Sequence, residues 1–359
     1  MNSMPSPSNP SRYEGCTLTG ALAVVTQVRD AACIIHGPAG CTHHNFSLLH
    51  ATLLGNDTAA IPRLISTRLG ENEIIFGGED ALERCIARVH EAPPAPAAIF
   101  VLSTCIVETI GDDTAAVCAR GWETPVIPIR TSGFLGGVFQ TGFVGALLAA
   151  GTLAEQGSGQ REGVTLIGEK NLEYDVDENY AEVVRLLAYL DLAVNLRFVR
   201  DTDTAALSRL GTGAFNILRE PALREVGEAL HRRHGTPFID SFPVGLAGTL
   251  RFLREAGKLT GRDTRDAVRE EEAYQEEMLA AFADLAGARV RFDRLSPLLE
   301  EDAAAGEVVA ELAAALDLRV AQDGIPLPPP YPAPVGTAGV RRLLHRWRRA
   351  IRTNGRRSF

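Results

Sequence analysis

Two patterns of apolar and polar positions alternate along most of this chain. Short runs of apolar, often β-branched residues, such as residues 32–36 and 98–102, are separated by longer segments in which apolar residues recur every three or four positions, as in residues 80–91. The first pattern is typical of strands buried on both faces, and the second of amphipathic helices. Their alternation predicts parallel sheets covered by helices, which is an α/β fold.

The predicted elements form two successive units and a weaker third segment. In the first unit, strands are predicted at residues 32–36, 63–67, 98–102 and 125–130, and helices at residues 17–29, 41–54, 80–91, 112–120 and 146–156. In the second unit, strands are predicted at residues 164–168, 196–199 and 215–218, and helices at residues 180–190 and 222–234. Further on, helices are predicted at residues 265–285 and 303–316, with a short strand at residues 289–292.

The chain is long enough for more than one domain. At 359 residues it exceeds what a single hydrophobic core usually supports. We therefore predict two or three doubly wound parallel-sheet (Rossmann-like) domains, the last one shortened. The prolines of residues 326–330 indicate a stiff linker, and the arginines of residues 340–359 indicate a solvated helix face. The predicted segments are a disordered N-terminal tail (1–13), a first α/β domain (14–156), a second (157–287), a remnant of a third (288–325), and a linker with a basic C-terminal tail (326–359).

Charge and hydropathy restrict the class of protein. The formal net charge of -9 argues against nucleic acid as a partner. No uninterrupted apolar stretch approaches the length of a membrane span, and the first residues lack the basic region and apolar core of a secretion signal. We expect a cytoplasmic protein without a membrane partner, whose cysteines stay reduced unless they hold a metal.

Three of the six cysteines occupy turns that lead into predicted helices. Thiolates are favoured at such places by the partial positive charge and free N–H groups of a helix N-terminus. Three thiolates converging from three turns would form a soft-metal pocket of the kind that holds iron–sulfur clusters. The three segments are Glu14-Gly15-Cys16-Thr17, His36-Gly37-Pro38-Ala39-Gly40-Cys41 and Ser103-Thr104-Cys105.

Inert burial is the alternative interpretation for any one cysteine. Free cysteine is among the most buried residue types and often acts only as a small hydrophobic side chain. Cys33, Cys85 and Cys118 fit this interpretation, because each lies within an apolar or helical segment. The long separations between the other three do not match a compact zinc-binding motif, so spacing alone is a weak signal.

Taken in order, these turns and two glycine motifs resemble the nitrogenase component 1 superfamily. The superfamily includes the nitrogenase subunits, their cofactor-assembly scaffold, the reductases of protochlorophyllide and chlorophyllide, and the nickel-sirohydrochlorin reductive cyclase. The resemblance is strong over residues 14–135, weaker around residues 243–245, and lost after about residue 288. Its motifs are Cys16, His36-Gly37-Pro38-Ala39-Gly40-Cys41, Ile75-Phe76-Gly77-Gly78-Glu79, Ser103-Thr104-Cys105 and Ile110-Gly111-Asp112-Asp113.

The resemblance implies a cluster site and its surroundings. Cys16, Cys41 and Cys105 match positions that bind an iron–sulfur cluster, of the 4Fe–4S type or larger, at a subunit interface where a partner supplies the remaining ligands. Further implied residues are Gly37, Gly40 and Gly111, whose backbone N–H groups would approach the cluster sulfurs, and His36 and Gln140, which would line the cavity. We interpret Glu71, Glu73, Asp112 and Asp113 as solvated or helix-start acids.

Departures from the family pattern argue against dinitrogen reduction. In nitrogenase, a cysteine of the middle domain and a histidine of the last domain hold the active-site cofactor. This chain has no cysteine after Cys118, and its third domain is predicted to be shortened. The stretch at residues 133–143 resembles the loop that carries a catalytic histidine in nitrogenase, yet it has no histidine, although Gln140 remains.

Three functions therefore stay open at this point. The first hypothesis is an enzyme subunit that relays electrons from an ATP-dependent iron–sulfur reductase to a substrate other than dinitrogen, with a tetrapyrrole as the candidate. The second is a scaffold on which a metallocofactor is assembled, and the third is a non-enzymatic relative that keeps the cluster. In each case the expected partner is a second component 1-type subunit or a second copy of this chain.

Overall fold

Three parallel β-sheets form the framework of the part of the chain that the structure describes. The computed structural model describes residues 15–55, 63–134, 136–154, 162–173, 175–292, 303–330 and 332–355, so the predicted N-terminal tail lies outside the described residues. These residues divide into an N-terminal unit, Ser11–Val176 with Val194–Asp240, and a C-terminal unit, Asp177–Ala193 with Ser241–Phe359. The parallel sheets and their helices confirm the predicted α/β class with Rossmann-like domains.

The first sheet of the N-terminal unit has the strand order β2-β1-β3-β4. Its strands are β1 (Ala31–His36), β2 (Leu64–Ser66), β3 (Ala98–Ser103) and β4 (Val126–Arg130). Every residue of β1 and β3 is buried, which explains their uninterrupted apolar runs. Strand β2 pairs with one side of β1, and β3 pairs with the other side. The direction in which successive strands extend the sheet therefore reverses between β1 and β3. In open α/β sheets, ligands bind outside the carboxyl ends of the strands at such a reversal.

Seven helices accompany this sheet in the described residues. They are α1 (Thr17–Val25), α2 (Ala39–Gly55), α3 (Glu71–Phe76), α4 (Glu79–Glu91), α5 (Cys105–Ile110), α6 (Thr114–Cys118) and α7 (Phe139–Gly151). All nine residues of α1 are buried, as expected for a helix that is apolar on every side. The sequence predicts one helix at residues 112–120. The structure has two short helices in this region, α5 and α6, and Gly111, with a left-handed φ of 83°, lies between them.

Helix α7 begins seven residues before the predicted start, and close packing explains why. A Cβ atom at Gly142 would lie 1.8 Å from the carbonyl oxygen of Thr17, and one at Gly20 would lie 2.0 Å from that of Phe139. The glycines therefore allow the backbones of α1 and α7 to touch. Glycine lowers intrinsic helix propensity, which is why the sequence pattern places the glycine-rich stretch outside the helix.

The second sheet of the N-terminal unit has the order β6-β5-β7-β8 and is also parallel. Its strands are β5 (Val164–Ile167), β6 (Val194–Phe198), β7 (Phe215–Leu218) and β8 (Phe238–Ile239). The N-terminal unit also contains α9 (Thr204–Leu207) and α10 (Arg224–His234), whereas α8 (Val176–Ala188) belongs, after its first residue, to the C-terminal unit. The predicted strands and helices of this segment are all present, with ends that shift by a few residues.

The C-terminal unit is built around a three-stranded parallel sheet in the order β10-β9-β11. Its elements are α11 (Gly245–Thr260), α12 (Arg265–Ala280), β9 (Arg289–Phe292), α13 (Ala303–Ala315), β10 (Arg319–Val320), β11 (Ile325–Leu327) and α14 (Gly336–Gly355). In the part of the chain that the structure describes, no helix is long and apolar enough to cross a membrane.

The proline-rich segment and the basic tail differ from the sequence expectation. Pro326 lies within β11, which pairs with β9 instead of forming an extended linker, and an edge strand tolerates proline because its outer N–H groups have no ladder partner. Helix α14 buries an apolar stripe at helical spacing, comprising Val340, Leu343, Leu344 and Trp347. The many arginines between these positions conceal the stripe in the sequence. The basic tail is therefore a core element of the C-terminal unit.

A buried ion network stabilises the C-terminal unit. Arg185 of α8 forms paired hydrogen bonds with the carboxylates of Glu182 and Glu271, at 2.8–2.9 Å. The two carboxylates are 2% and 0% exposed, and they also accept bonds from the Ala338 N–H and the Thr337 hydroxyl. Burial opposes the charge of Arg185, but both carboxylates favour it, and the net effect raises its pKa. One guanidinium thus pairs with two buried carboxylates.

Removing this guanidinium is expected to be strongly destabilising. Arg185→Met should lower the free energy of unfolding by about 3–5 kcal/mol, because two buried carboxylates lose their counter-charge. The matched change Arg254→Met, at a solvent-exposed pair with Glu272, should cost roughly 0–1 kcal/mol. Urea unfolding of both variants measures the difference, and equal losses would contradict a special role for the buried network.

Candidate functional site

Two of the three cysteine turns meet where the strand order reverses. His36 at the end of β1 pairs in register with Ser103 at the end of β3, so the chain leaves both strands at the same point. A Cβ atom on Gly37 would lie 2.1 Å from Oγ1 of Thr104, so only glycine permits this approach. The turns that lead to Cys41 and Cys105 are therefore in direct contact.

The third cysteine reaches the same place from α1. Cys16 is the exposed N-cap residue of this helix, and its Sγ lies 3.5 Å from Oγ1 of Thr19. Thr19 donates a hydrogen bond to Oδ1 of Asn45 at 2.7 Å, and Nδ2 of Asn45 donates to the Cys41 carbonyl at 2.8 Å. This chain of bonds ties the Cys16 turn to the Cys41 turn.

Burial and the other two thiols both act on the Cys41 thiol. Burial raises the pKa of the Cys41 thiol, and the negative charges of Cys105 and Cys16 raise it further. This effect on Cys41 agrees with the contacts that join the three turns. The structure thus brings together the three cysteines that the sequence places in turns, and a cation or electrophilic group between them would relieve their repulsion.

The other three cysteines lie in the hydrophobic core. Cys33, Cys85 and Cys118 are all buried, and burial raises the pKa of Cys33 and Cys118 to about 12 and also raises that of Cys85. Such thiols stay protonated and do not act as metal ligands.

Cys105 already receives a hydrogen bond at its sulfur. It is the first residue of α5, and the N–H group of Gly133 donates to its Sγ at 3.2 Å. Donors of this kind stabilise thiolates that ligate a metal cluster. Local sequence does not identify Gly133, because it lies 28 residues from Cys105 and comes near it only when β3 and β4 pair.

The donor set fits a polynuclear cluster better than one ion. Among the described residues, no group of three or more His, Cys, Asp or Glu side chains is arranged to hold a single metal ion. The three thiols lie on three separate turns, one exposed and two half-buried. In an iron–sulfur cluster, thiolates on separate segments bind different irons, and this arrangement matches that mode of binding. The residues present therefore fit such a cluster.

His36 lies in a buried hydrogen-bond network at the end of β1. Its ring is fully buried, with Nδ1 3.1 Å from Oγ1 of Thr67 and Nε2 3.2 Å from Oδ2 of Asp112. Both oxygens of Asp112 also accept the N–H of Gly78, at 3.0 Å. Burial lowers the pKa of His36, although Asp112 acts in the opposite direction. A neutral ring that donates from Nε2 to Asp112 and accepts at Nδ1 from Thr67 satisfies all three groups.

Asp112 has a role that sequence reasoning missed. The sequence indicates a helix-start acid, but the side chain is 4% exposed and joins the end of β1 to the loop before α4. The neighbouring Asp113 does cap a helix, since it accepts the N–H of Ala116 at 2.9 Å. Asp112 differs from Asp113 because it bonds to His36, which lies 76 positions earlier in the chain. Local sequence does not show this contact.

The His36 network predicts a pH-dependent stability. Because the folded state lowers the pKa of His36 below the usual value of about 6.5, the unfolded chain binds more protons, and stability should fall as pH decreases below about 6.5. His36→Gln should lower the free energy of unfolding at pH 7.5 by about 1–3 kcal/mol, with a smaller difference from wild type at pH 5.5. Urea unfolding at both pH values checks this. His43→Gln, on an exposed part of α2, is the control and should match wild type.

The remaining predicted residues lie in open or helical positions. Gly40, in the first turn of α2, is exposed, and a Cβ atom there would meet no protein atom within 4 Å. The same holds at Gly111, whose left-handed φ of 83° favours glycine. Gln140 lies in the first turn of α7, one residue after Phe139. Contacts with Gly40 and Gly111 from a cluster or partner stay predictions.

Large apolar side chains are exposed at the same edge of the first sheet. Ile75 and Phe76 of α3 are 70% and 84% exposed, and Phe134 is 83% exposed. They follow β2 and β4 in the chain, beyond the carboxyl ends of the strands. Exposed apolar groups near a site often mark an interaction surface.

Comparisons with known proteins agree on one family. The family model "Nitrogenase component 1 type Oxidoreductase" matches residues 16–291. The chain is 30% identical over 278 residues to "Nitrogenase iron-molybdenum cofactor biosynthesis protein NifE" of Rippkaea orientalis, covering 74% of this chain and 57% of that protein. It is 28% identical over 263 residues to a subunit of the light-independent protochlorophyllide reductase of a Bradyrhizobium species, covering 70% of this chain and 50% of that protein.

A solved structure shares the fold. The structure "Nitrogenase Cp1 at pH 5" matches with a TM-score of 0.65 and 22% sequence identity, covering 89% of this chain and 65% of that chain. The chain thus spans between half and two thirds of the length of these three relatives.

Proposed function

Because the chain belongs to the family of nitrogenase component 1 type oxidoreductases, we propose that it is an iron–sulfur subunit of a nitrogenase-like complex. The observation that carries the proposal is the convergence of the turns of Cys16, Cys41 and Cys105, which are joined by the register of β1 with β3 and by hydrogen bonds through Thr19 and Asn45. A cluster of the 4Fe–4S type or larger would supply low-potential electron storage, or a core on which a larger cluster is built. The thiolates bind it, and Gly133 donates to the Cys105 sulfur. A cytoplasmic location would keep these thiols reduced.

A second subunit is part of this proposal. Three protein thiolates leave a cluster incompletely ligated, and Cys16 is exposed. Ile75, Phe76 and Phe134 would be removed from water if a component 1-type subunit or a second copy of this chain covered this edge. Such a partner would contribute the missing ligands, and an ATP-dependent iron–sulfur reductase would be the electron donor.

We favour metallocofactor assembly as the role of this complex. The sequence alone favours the reductase, but several relatives of this chain, including those from Rippkaea orientalis and a Nostoc species, are named as cofactor biosynthesis proteins. Residues 119–359 also contain no cysteine, so this part of the chain supplies no thiol for a second cofactor. A scaffold needs ligands that hold a cluster and then release it, and three thiolates at an exposed edge suit that task.

The second candidate is a reductase of a substrate other than dinitrogen. The relative named as a protochlorophyllide reductase supports it, and a tetrapyrrole is then the candidate substrate. The chain would relay electrons from the ATP-dependent reductase through its cluster. A non-enzymatic relative that only keeps the cluster is the third possibility.

Anaerobic purification followed by iron and acid-labile sulfide analysis tests the proposal. We expect stoichiometric iron and an EPR signal after reduction, with the partner subunit present. Absence of both after reconstitution with the partner would overturn it. A metallocluster scaffold should then lose iron to a metal-free acceptor protein, whereas a reductase should keep its iron and oxidise its reduced cluster when substrate is added.

A further inference from the structure

Several threonines have a buried hydroxyl without a hydrogen-bond partner among the described residues, and two of these adjoin a site cysteine and are buried as whole residues. These two are Thr17, which follows Cys16, and Thr104, which precedes Cys105. Both residues are 2% exposed. Burying a hydroxyl without a partner is unfavourable, so such groups usually have an acceptor.

The Thr17 hydroxyl faces the loop that also contacts the Cys105 thiol. A Cβ atom on Gly133 would lie 3.7 Å from Oγ1 of Thr17 and 3.9 Å from Sγ of Cys105. A Cβ atom on Gly137 would lie 2.5 Å from the same hydroxyl oxygen. The hydroxyl and the thiol therefore flank one glycine, Gly133, which already donates its N–H group to the thiol.

The Thr104 hydroxyl lies between the two turns that meet at the strand reversal. Its oxygen occupies the space above Gly37, where a Cβ atom would be 2.1 Å away. Gly37 begins the turn to Cys41, and Thr104 immediately precedes Cys105. The hydroxyl is thus buried among the segments that carry two of the three thiols.

We propose that the hydroxyls of Thr17 and Thr104 donate hydrogen bonds to inorganic sulfides of the bound cluster. This inference rests on the proposed function, because the cluster supplies the acceptor. Each bond stabilises negative charge, which is greater in the reduced cluster, so both hydroxyls raise its reduction potential. Gly133 acts on Cys105 in the same way through its N–H group.

A buried threonine away from the thiols provides the matched control. The hydroxyl of Thr202 is also buried without a partner among the described residues, and the residue is 4% exposed. Its backbone bonds to Gln27 and Arg29, beyond the opposite end of α1 from Cys16. Replacing it removes the same group without touching the site.

The experiment compares the reduction potential of the loaded protein with the stability of the metal-free protein. The variants are Thr17→Val, Thr104→Val, Thr17→Ser and Thr202→Val, studied by EPR-monitored redox titration and by urea unfolding. At a fixed solution potential, each valine variant at the site should show a three- to tenfold lower ratio of reduced to oxidised cluster, where tenfold corresponds to about 59 mV for one electron. Thr17→Ser and Thr202→Val should retain the wild-type potential.

The metal-free protein gives a readout independent of the cluster. Without an acceptor, Thr17→Val should leave its stability unchanged or raise it, because valine removes an unpaired hydroxyl at nearly constant volume. Wild-type potentials in both site variants with full iron content would overturn the inference, as would a loss of stability in both metal-free site variants. Absence of a cluster from the unchanged protein would instead overturn the proposed function, and with it the acceptor that this inference requires.

Discussion

Replacing Cys41 with alanine is expected to abolish cluster binding while the N-terminal unit stays folded. Burial raises the pKa of the Cys41 thiol, and Cys105 and Cys16 raise it further, so Cys41 belongs to the group of three thiols. Its loss leaves only two thiolates from this chain, too few to hold a cluster firmly. Strand β1 pairs with β2 and β3 through backbone bonds that need no metal. Iron should fall from stoichiometric to background, with an unchanged far-UV circular dichroism spectrum.

Cys85→Ala is the control for this experiment. Cys85 of α4 is 1% exposed, and burial raises the pKa of its thiol, so it is a core side chain. Iron content should match the unchanged protein, with only a modest loss of thermal stability. A large fall in iron on replacing Cys85, or full iron retention on replacing Cys41, would show that other thiols hold the metal.

Replacing Gly142 with alanine is expected to cause a large loss of stability and to disturb the site. The new methyl group would lie 1.8 Å from the Thr17 carbonyl oxygen and 3.0 Å from the Ala21 nitrogen. Both are backbone atoms of α1, so the helices must separate. We expect roughly 3 kcal/mol of destabilisation, the upper part of the usual range for overpacking, because no flexible side chain can move aside. Urea unfolding measures this change.

The same helix offers a matched control at Gly145. A Cβ atom there would meet no protein atom within 4 Å, and alanine has the higher helix propensity, so Gly145→Ala should gain up to about 1 kcal/mol. Because Thr17 adjoins Cys16, Gly142→Ala should also lower iron content, whereas Gly145→Ala should not. A loss of stability in Gly142→Ala together with a gain in Gly145→Ala would support close backbone packing. Equal changes in stability would contradict it.

Much of the fold follows from local sequence pattern. The strand predicted at residues 215–218 has the bounds of β7, and the strand predicted at residues 289–292 has those of β9. Fully apolar runs identify buried parallel strands because each strand is covered on both faces. Local sequence pattern does not predict three features, namely the early start of α7, the strand that contains Pro326, and the buried stripe of α14. In each case tertiary packing outweighs the local preference of glycine, proline or arginine.

The sequence by itself determined the α/β class, the position of three cysteines in turns, and the resemblance to one family. These depend on periodicity and on short motifs, which are local properties of the chain. Only the tertiary structure decided that Cys16, Cys41 and Cys105 meet, and that His36 pairs with Asp112. The reason is that strand order and helix packing join residues tens of positions apart, and no local pattern encodes which strands become neighbours.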